Sequence, residues 1–460
     1  MLLEEGADPN RHQKIVWVSD DNPRRTEQMA LFDHEQRAGH LVVPGIPGLP
    51  PTGIKLDPNN SGMEKVIVQS EGGVGPDIFD CYDAKQLAAY VRSGVALDVT
   101  DALKARGLKL DDTWPCMKPV CIYNGRMYGR ATNTSVNALW LNTRLFQEAG
   151  VPLPTKKPWT WQEFLPLAQK LTQRDANGHI VRYGFLADWY NLWQTCLVQW
   201  GGHYYSADGT RCVLDSPEAI AGVQFAHDLI YKYHVVPGPV EEASLSGQGG
   251  WGQGTIKWFG ADKGAIALGG RWWLCTLRDQ THPIVNGKPE TPTLNLRVVE
   301  CPHGPQRVFP AAGKATLINA ASKHIREALD FYTFMDGKPY NDLINAQADG
   351  LGPIKRFAYS PEYLHNPEYP EEQDNDVWRD IIQYGVAEET SDFVEGQAVQ
   401  RILDVQLDLV KSDQKSAADA LHTAAQKINA EIQRMIAADP TLRSRYQLLV
   451  GHSAAQISRR

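Results

Sequence analysis

The sequence predicts an α/β fold built from two large lobes, and three observations predict it. The 460 residues correspond to about three domains or two large lobes at roughly 150 residues per domain. Short apolar runs alternate with helical segments, which indicates a largely parallel sheet with helical crossovers. The composition, 42% hydrophobic and 22% charged, is ordinary for a globular chain and excludes a disordered or fibrous one.

The amino-terminal part of the chain carries this alternation most clearly. Residues 14–19 (KIVWVS) form a β-branched apolar run that predicts a strand. The polar residues 20–23 that follow it are typical of a helix start. A proline-rich loop then covers residues 39–58. The next predicted elements are a strand at 54–56, a helix at 63–70, a strand at 76–82 and a helix at 85–92.

Turn and cap signals place the remaining elements. Asn124-Gly125 between residues 121–123 and 126–128 predicts a hairpin. Thr160 with Glu163 three residues later predicts a capping box at a helix start. The helical tail has a predicted break near Asp413. The other predicted strands are 135–141, 264–268, 294–300 and 315–319, and the other helices are 142–149, 159–172, 216–233, 325–335 and 398–438.

Charge and hydropathy exclude several classes of protein. The chain has 46 basic and 54 acidic residues and a net charge of −8, so it lacks the basic surface of a non-specific nucleic-acid binder. No run approaches the roughly 20 apolar residues that cross a bilayer. Residues 1–13 have neither a basic start nor an apolar core, so no export signal is visible. We therefore expect either a cytoplasmic protein or one made with an export segment that this sequence lacks.

Motifs for cofactors, metals and common hydrolases are missing. HExxH, GxSxG and the phosphate-binding GxxxxGK[ST] do not occur, and a GxGxxG match at residues 247–252 follows a polar loop instead of a strand. The 13 histidines form no helical i, i+4 pair and no CxxC occurs, so we expect no cofactor and no metal. Seven cysteines leave at least one free thiol; Cys116 and Cys121 are close enough for a disulfide, with buried free thiols as the alternative.

Acidic residues stand where predicted strands end. Asp20 and Asp21 follow the first strand, and Asp80 and Asp83 flank the end of the third. Ligands of open α/β sheets bind at the carboxyl ends of strands. Such acids suit general acid and base catalysis of glycoside hydrolysis, hydrogen bonding to sugar hydroxyls without chemistry, or capping of the next helix. The 13 Trp, 17 Tyr and 12 Phe fit a large core or flat walls for sugar rings.

Several segments, taken in order, resemble one family. From about residue 14 to residue 438 the chain resembles the family 1 extracellular solute-binding proteins of ABC importers, a sugar-binding group that includes maltodextrin-binding proteins. The segments that carry the resemblance are KIVWVSDDNP, LDPNNSGMEKVIVQSEGGVGPDIFDCYD, ALWLNTRLFQEAGVPLP, WTWQEFLPLAQKLT, LDSPEAIAGVQFAHDLI, GAIALGGRWW and ATLINAASKHIREALDFYTFM.

The resemblance implies a two-lobed periplasmic-binding-protein-like fold (type II), with a mostly parallel sheet flanked by helices in each lobe and a hinge around a central cleft. Lobe 1 would comprise residues 14–133 and 297–345, and lobe 2 residues 134–296 and 346–450. The crossing segments would be 131–139 and 348–353. Closure of such proteins around a ligand is a hinge motion.

The resemblance also implies a function. The protein would be a non-catalytic, monomeric carrier that captures a mono- or oligosaccharide and delivers it to the transmembrane subunits of an ABC permease. It would lie in the periplasm or outside the cell, in some family members as a lipoprotein. It would need no metal, no cofactor and no nucleic acid. A carbohydrate-active hydrolase that uses paired cleft carboxylates is the alternative.

The ligand-binding residues implied by the resemblance come from both lobes. Trp272 would stack on a sugar face, while Trp273 would lie in the core. Arg271 would bind either the ligand or an acid of the protein. The expected ligand-binding residues are Ser19, Asp20, Asp21, Asn22, Asn59, Asn60, Asp80, Tyr82 and Asp83 in lobe 1, Asn133, Thr134 and Ser135 in the first crossing, and Asp188, Trp189, Tyr190, Asn191, Trp251, Arg271 and Trp272 in lobe 2.

Overall fold

The computed structural model describes residues 14–22, 24–41, 53–245 and 254–457. The chain divides into two compact units, and each combines a β-sheet with helices, which confirms the predicted α/β fold class. Unit 1 comprises Met1–Val136, Gly270–Thr291 and Ala311–Ala387, and unit 2 comprises Asn137–Gly269, Pro292–Pro310 and Glu388–Arg460.

The sheet of unit 1 is mixed. Strand β1 (Lys14–Val18) pairs in parallel with β2 (Gly53–Leu56) and with β3 (Ile78–Cys81). Strand β13 (Phe309–Ile318) then pairs antiparallel with β3 and with the first half of β6 (Gly129–Asn142). In unit 1 the predicted parallel pairing therefore holds for the first three strands, whereas the late strand β13 enters the sheet antiparallel.

Local turn chemistry explains the smaller elements of unit 1. The hairpin of β4 (Ile122–Tyr123) and β5 (Arg126–Met127) turns at Asn124 and Gly125, whose positive φ angles of 48° and 75° fit a tight hairpin turn. This confirms the predicted hairpin. The other elements are strands β10 (Ile284–Val285), β11 (Lys288–Pro289) and β14 (Gly385–Val386), and helices α1 (Arg25–Arg37), α2 (Met63–Glu71), α3 (Ala84–Arg92), α4 (Thr100–Ala105), α11 (Leu274–Thr281), α12 (Ile325–Asp336), α13 (Lys338–Gln347), α14 (Pro361–Leu364) and α15 (Asn375–Ile381).

Aromatic rings form the core of unit 1 between the sheet and its helices. The rings of Trp17 and Phe331 lie 5.3 Å apart, and those of Phe32 and Phe331 lie 5.2 Å apart at 81°. Strand β1 and helices α1 and α12 supply one ring each. All three side chains are fully buried, and each stabilises the fold by about 1.5–3 kcal/mol through burial alone.

The strands of unit 2 pair in both parallel and antiparallel directions. Strand β8 (Ile180–Leu186) pairs in parallel with β9 (Gly264–Gly270) and antiparallel with β7 (Gln173–Arg174). Strand β12 (Leu296–Val299) pairs antiparallel with the second half of β6. All seven residues of β9 are buried, which explains its unbroken run of small and apolar residues.

Two predicted helix signals of unit 2 are present in the structure. The capping box of Thr160 and Glu163 is present at the start of α6, and the break between α16 and α17 contains Asp413 at a φ of 55°. The helices of unit 2 are α5 (Thr143–Glu148), α6 (Trp161–Leu171), α7 (Trp189–Gln199), α8 (Pro217–Tyr231), α9 (Pro239–Leu245), α10 (Thr255–Gly260), α16 (Gly396–Lys411), α17 (Ala417–Ala438) and α18 (Pro440–Ile457).

The boundaries of the two units differ from the boundaries predicted for the lobes. Residues 270–291 and 346–387, expected in lobe 2, pack within unit 1. Arg278 explains part of this packing, because its guanidinium pairs with Glu372 at 2.6 Å and donates to the Ala346 carbonyl at 2.6 Å. Residues 297–310, expected in lobe 1, pack within unit 2 because β12 pairs with the second half of β6.

Candidate functional site

Asp80 lies at the centre of a buried polar cluster in unit 1. Its carboxylate accepts hydrogen bonds from the Trp17 indole (2.9 Å), the Ser19 hydroxyl (2.5 Å) and the Thr316 hydroxyl (2.9 Å), and it pairs with the Lys314 ammonium at 2.8 Å. Only 5% of Asp80 is exposed. The carboxylate therefore joins β1, β3 and β13, and both of its oxygens are occupied by protein donors.

Asp20 faces two positive charges in the same cluster. Arg25 donates to both carboxylate oxygens, at 2.9 and 3.0 Å, and Lys314 lies 3.8 Å away. The Tyr82 hydroxyl, at the exposed edge of the cluster, donates to Asp20 at 3.3 Å. Burial alone would raise the pKa of Asp20, but the charges of Lys314 and Arg25 outweigh it and hold that pKa well below its usual value.

Arg25 extends the cluster to the residues that follow α13. Its guanidinium pairs with Asp349 at 2.5 Å, and the Asn22 amide donates to the same carboxylate at 3.1 Å. The Asn133 amide donates to the Asp349 carbonyl at 3.1 Å. Three carboxylates and two cations thus pair in unit 1 as a closed network, which is the arrangement that buried charges require.

The two predicted crossing segments meet in this region of unit 1. Thr134 and Leu351 exchange two backbone hydrogen bonds, at 3.0 and 2.8 Å. Gly350 has a φ of 81°, and a Cβ there would lie 2.5 Å from the Thr134 carbonyl oxygen. Glycine is therefore required at this position both by its conformation and by the close approach. The Thr134 side chain itself is buried.

The turn at Arg271–Trp273 belongs to unit 1. Arg271 is 1% exposed and donates to the Gly350 carbonyl (2.9 Å) and to the Asn375 side-chain oxygen (2.9 Å), and its guanidinium lies 5.0 Å from the Tyr363 ring. Burial lowers the pKa of Arg271. None of its partners among the described residues is a carboxylate. Its observed role is to hold the backbone after α13.

Trp272 is the half-exposed ring of this turn, whereas Trp273 is buried in the core as expected. A Cβ at Gly270 would lie 2.6 Å from the Ser135 hydroxyl oxygen and 2.6 Å from Cδ1 of Trp272. Glycine at position 270 therefore leaves room for both side chains. Ser135 and Trp272 come together at this point, and both stay predicted ligand contacts.

The other predicted residues of unit 1 have separate local roles. Asp83 caps α3 by accepting from the Gln86 amide at 2.7 Å, which matches the helix-cap alternative. Asn60 donates to Asp57 at 2.6 Å and accepts from Gln69 at 2.8 Å. The remaining two, Asp21 and Asn59, are exposed.

Unit 2 contains a cavity of about 580 Å³. This volume falls within the range of about 300–1,000 Å³ that is typical of small-molecule sites. Three of the predicted residues line it. The lining residues are Asp188, Trp189, Tyr190, Trp193, Pro239, Glu242, Ala243, Gly254, Thr255, Trp258, Asp404, Leu407, Asp408 and Lys411. The predicted residue Trp251 lies outside the described residues.

Helix α7 positions the predicted residues of this cavity. Asp188 caps the helix by accepting from the Asn191 backbone amide at 2.9 Å and from its side-chain amide at 2.5 Å. Asn191 in turn accepts from the Asn137 amide at 2.9 Å. The Tyr190 ring, 42% exposed, stands edge-on to Trp193 with 5.7 Å between ring centroids. Helix α7 was not predicted from the sequence, although Asp188 is a residue type that is favoured at the N-cap of a helix.

Four carboxylates and one ammonium line the cavity, and three of the carboxylates were not predicted. Glu242 pairs with Lys411. Burial raises the pKa of Glu242, Lys411 opposes that rise, and the charge of Asp188 adds to it. Asp404 and Asp408 lie four residues apart on the exposed side of α16, while Leu407 between them is buried. Their i, i+4 spacing is the sequence signal that would have placed them on one helix face.

Other chemistry is limited within the described part of the chain. No three His, Cys, Asp or Glu residues there are arranged to hold a metal ion, and no helix there is both long and apolar enough to cross a membrane. Cys116 and Cys121 are buried free thiols, so the disulfide alternative is wrong for this structure.

Comparison with known families gives a match over more than half of the chain. The family model described as bacterial extracellular solute-binding protein matches residues 52–341. An arabinooligosaccharide-binding protein of Halalkalibacterium halodurans is 25% identical over 112 residues, which are 24% of each chain. The match therefore spans about a quarter of the length of that curated relative.

Solved structures share the fold over nearly the whole chain. An ABC substrate-binding protein from Listeria monocytogenes, in complex with cycloalternan, has a TM-score of 0.71 and 20% identity, covering 91% of this chain and 98% of that one. A maltose-bound protein of T. maritima has a TM-score of 0.67 and 18% identity, covering 91% and 99%. UgpB from Mycobacterium tuberculosis, in complex with glycerophosphocholine, has a TM-score of 0.71 and 16% identity, covering 92% and 99%.

Proposed function

The chain belongs to the family of bacterial extracellular solute-binding proteins, and on that premise we propose that it is the carbohydrate-binding component of an ABC importer. The ligands of the relatives support a carbohydrate ligand. Two solved structures contain cycloalternan and maltose, and the curated relative is named for binding arabino-oligosaccharides. We also propose that the protein works outside the cytoplasm and hands its ligand to the transmembrane subunits of a permease.

The observation that carries this proposal is the aromatic cavity of unit 2. Trp189, Tyr190, Trp193 and Trp258 supply flat apolar surfaces, and Asp188 and Thr255 add polar groups. Sugar rings present CH groups on their faces and hydroxyls at their edges, so they match such a lining. We therefore assign ligand contact first to Asp188, Trp189 and Tyr190, and keep Trp272 of unit 1 as a further proposed contact.

The size of the expected affinity is consistent with this lining. A micromolar dissociation constant corresponds to about −8 kcal/mol. Aromatic contacts contribute about 0.5–1.5 kcal/mol each beyond the burial of their surface. A few stacked rings with several hydrogen bonds therefore reach this range.

Titration calorimetry against a panel of mono- and oligosaccharides tests the proposal. We expect one class of sugar to bind, and we expect Tyr190→Ala to weaken it by about five- to thirtyfold, or about 1–2 kcal/mol. Tyr359→Ala is the matched control, because Tyr359 is an exposed tyrosine of unit 1 outside the predicted site. Absence of binding to every sugar of the panel would remove the proposal.

A non-catalytic role is part of the proposal. A glycosidase needs a general acid with a raised pKa beside a second carboxylate. In unit 1 the pKa of Asp20 is lowered and Asp80 is occupied by four donors. In the unit 2 cavity burial raises the pKa of Glu242, but its carboxylate is held in an ion pair with Lys411. We expect no new reducing ends when oligosaccharides are incubated with the protein, and their appearance would favour the hydrolase alternative.

Ligand-driven closure of two lobes and a monomeric state remain predictions from the family. Closure is a population shift, so the ligand must bind the closed form more tightly than the open form. Small-angle scattering with and without the bound sugar measures closure as a decrease in the radius of gyration. Light scattering on the same samples measures the mass, for which we expect 51.2 kDa.

A further inference from the structure

The cavity of unit 2 is strongly acidic for a site that would hold a neutral sugar. Asp188, Glu242, Asp404 and Asp408 contribute four carboxylates, against the single ammonium of Lys411, which leaves a net formal charge of −3. A neutral sugar can donate its hydroxyls to carboxylates, but it carries no charge that would balance an excess of three. The charge excess is therefore the feature that the proposed function does not explain.

The charges of the cavity are compensated unevenly. Lys411 pairs with Glu242, and Asp188 is held at the start of α7 by Asn191. Asp404 accepts a hydrogen bond from Gln400 at 2.7 Å, and Asp408 has neither an ion pair nor a side-chain hydrogen bond among the described residues. Since like charges at i and i+4 of a helix repel each other, a cation placed between Asp404 and Asp408 would be attracted by both.

The aromatic lining favours the same kind of guest. Four rings face or border the cavity, three of them tryptophans. The electron-rich face of an indole attracts an ammonium group, because the charge interacts with the quadrupole of the ring. Aromatic rings combined with carboxylates are a common way to recognise a positively charged nitrogen.

A second, independent observation points to an oxygen on the ligand. Trp189 lines the cavity, it is 7% exposed, and its buried indole N–H has no hydrogen-bond partner among the described residues. A buried donor without an acceptor destabilises the folded protein, because the donor has lost its hydrogen bond to water. A ligand hydroxyl or ring oxygen in the cavity would supply the missing acceptor.

We propose that the cavity of unit 2 selects a polyol that carries a protonated amine, such as an amino sugar. The ammonium group lies between the carboxylates of Asp404 and Asp408 and the aromatic rings, and a ligand oxygen accepts from Trp189. This inference rests on the proposed function and narrows its ligand class from carbohydrates in general to cationic ones.

The test compares sugars that differ only by an amine in place of a hydroxyl. Calorimetry at a pH below the pKa of the amine uses three pairs: D-glucosamine and D-glucose, D-galactosamine and D-galactose, and the β-1,4-linked trimers of glucosamine and glucose. We expect the amino member of at least one pair to bind about tenfold more tightly, which is about 1.4 kcal/mol. The preference should decrease as salt is added, because exposed charges are screened.

Two variants test whether Asp404 and Asp408 cause the tighter binding of the amino sugar. The double variant Asp404→Asn and Asp408→Asn should reduce the tenfold ratio to about two or less, since the amides keep the shape and remove both charges. Asp101→Asn is the control, because Asp101 is an exposed carboxylate of unit 1, and its ratio should equal that of the wild type. Circular dichroism checks that all variants are folded.

The outcomes separate this inference from the proposed function. Equal or tighter binding of the neutral members would overturn the inference and leave the carbohydrate-binding function in place. An amino-sugar preference that survives in the double variant would also overturn it, because the charge would then act elsewhere. If no member of any pair binds, the inference is rejected, and the wider sugar panel alone decides the proposed function.

Discussion

Both units gather carboxylates beside tryptophan rings, but the two sets of acids have different partners. In unit 1, Asp20, Asp80 and Asp349 are all paired with Arg25 or Lys314. In unit 2, Asp404 and Asp408 lie exposed beside a cavity, and neither forms an ion pair with a described residue. The comparison shows that the partners of an acid, more than its place after a strand, decide whether it is available to a ligand.

The difference follows from the cost of burying charge. An ion without a partner loses several kcal/mol of hydration energy when it is buried, so a buried carboxylate must be paired and hydrogen-bonded. Asp80 satisfies this requirement with four donors. An exposed carboxylate keeps its water, can exchange that water for a ligand, and contributes little to stability.

The largest effect that tests this comparison is expected at Asp80. Asp80→Asn keeps the shape of the side chain but leaves the Lys314 ammonium, which is nearly buried, without its closest counter-charge. We expect the free energy of unfolding to fall by about 3–5 kcal/mol. Urea denaturation followed by tryptophan fluorescence measures it.

A double variant separates lost charge from lost shape. Asp80→Asn combined with Lys314→Met removes both charges and should recover part of the stability, because an apolar pair often replaces a buried ion pair at little cost. A loss below about 1 kcal/mol in the single variant would contradict the structural role of Asp80 and restore it as a candidate ligand residue.

The sequence predicted the parts of the fold that depend on local signals. The hairpin at Asn124-Gly125, the capping box at Thr160 and the helix break at Asp413 each need only a few neighbouring residues. Strand β13 was placed, but its antiparallel pairing with β3 was not, because strand order is set by contacts far apart in the chain.

The candidate site was harder to predict for the same reason. The residue type and position of Asp80 suited a ligand contact, yet its partner Lys314 comes from a strand more than two hundred residues later. Asp404 and Asp408 come from a helix near the end of the chain, and only the tertiary fold brings them to the cavity that Tyr190 lines. No local sequence pattern predicts the pairing of Asp80 with Lys314 or the position of Asp404 and Asp408 at the cavity.

A smaller effect is expected from Asp20, as a function of pH. The folded-state pKa of Asp20 is lowered from an ordinary value of 3.8. Its contribution to stability is therefore present above about pH 4 and is lost as the pH falls from there through the folded-state pKa. Asp20→Asn should remove about 1–3 kcal/mol at neutral pH and flatten the acid limb of the stability profile. Urea denaturation at a series of pH values measures both, and an unchanged acid limb would contradict the pairing with Arg25 and Lys314.

Glu242 in the unit 2 cavity should respond in the opposite direction. Burial raises its folded-state pKa above the ordinary value of 4.5, so its contribution is fully present below that value and is lost as the pH rises through the folded-state pKa. Glu242→Gln should therefore raise the free energy of unfolding at neutral pH, whereas Asp20→Asn should lower it. The same denaturation series compares the two variants, and parallel pH profiles would refute the contrast between the units.

The smallest effect is expected at the exposed acids of the cavity. Asp404→Asn and Asp408→Asn each remove one member of an i, i+4 pair of like charges, so each should change the free energy of unfolding by less than about 0.5 kcal/mol, with a slight increase in stability. The increase should disappear at high salt, since the repulsion between exposed charges is screened. Urea denaturation at low and high salt measures it.

A loss of more than about 1 kcal/mol in either variant would mean that these carboxylates support the fold as Asp80 does, and the contrast between a paired acid cluster in unit 1 and available acids in unit 2 would fail. Small changes in stability would instead mean that the charges of Asp404 and Asp408 act on ligand binding and not on the fold.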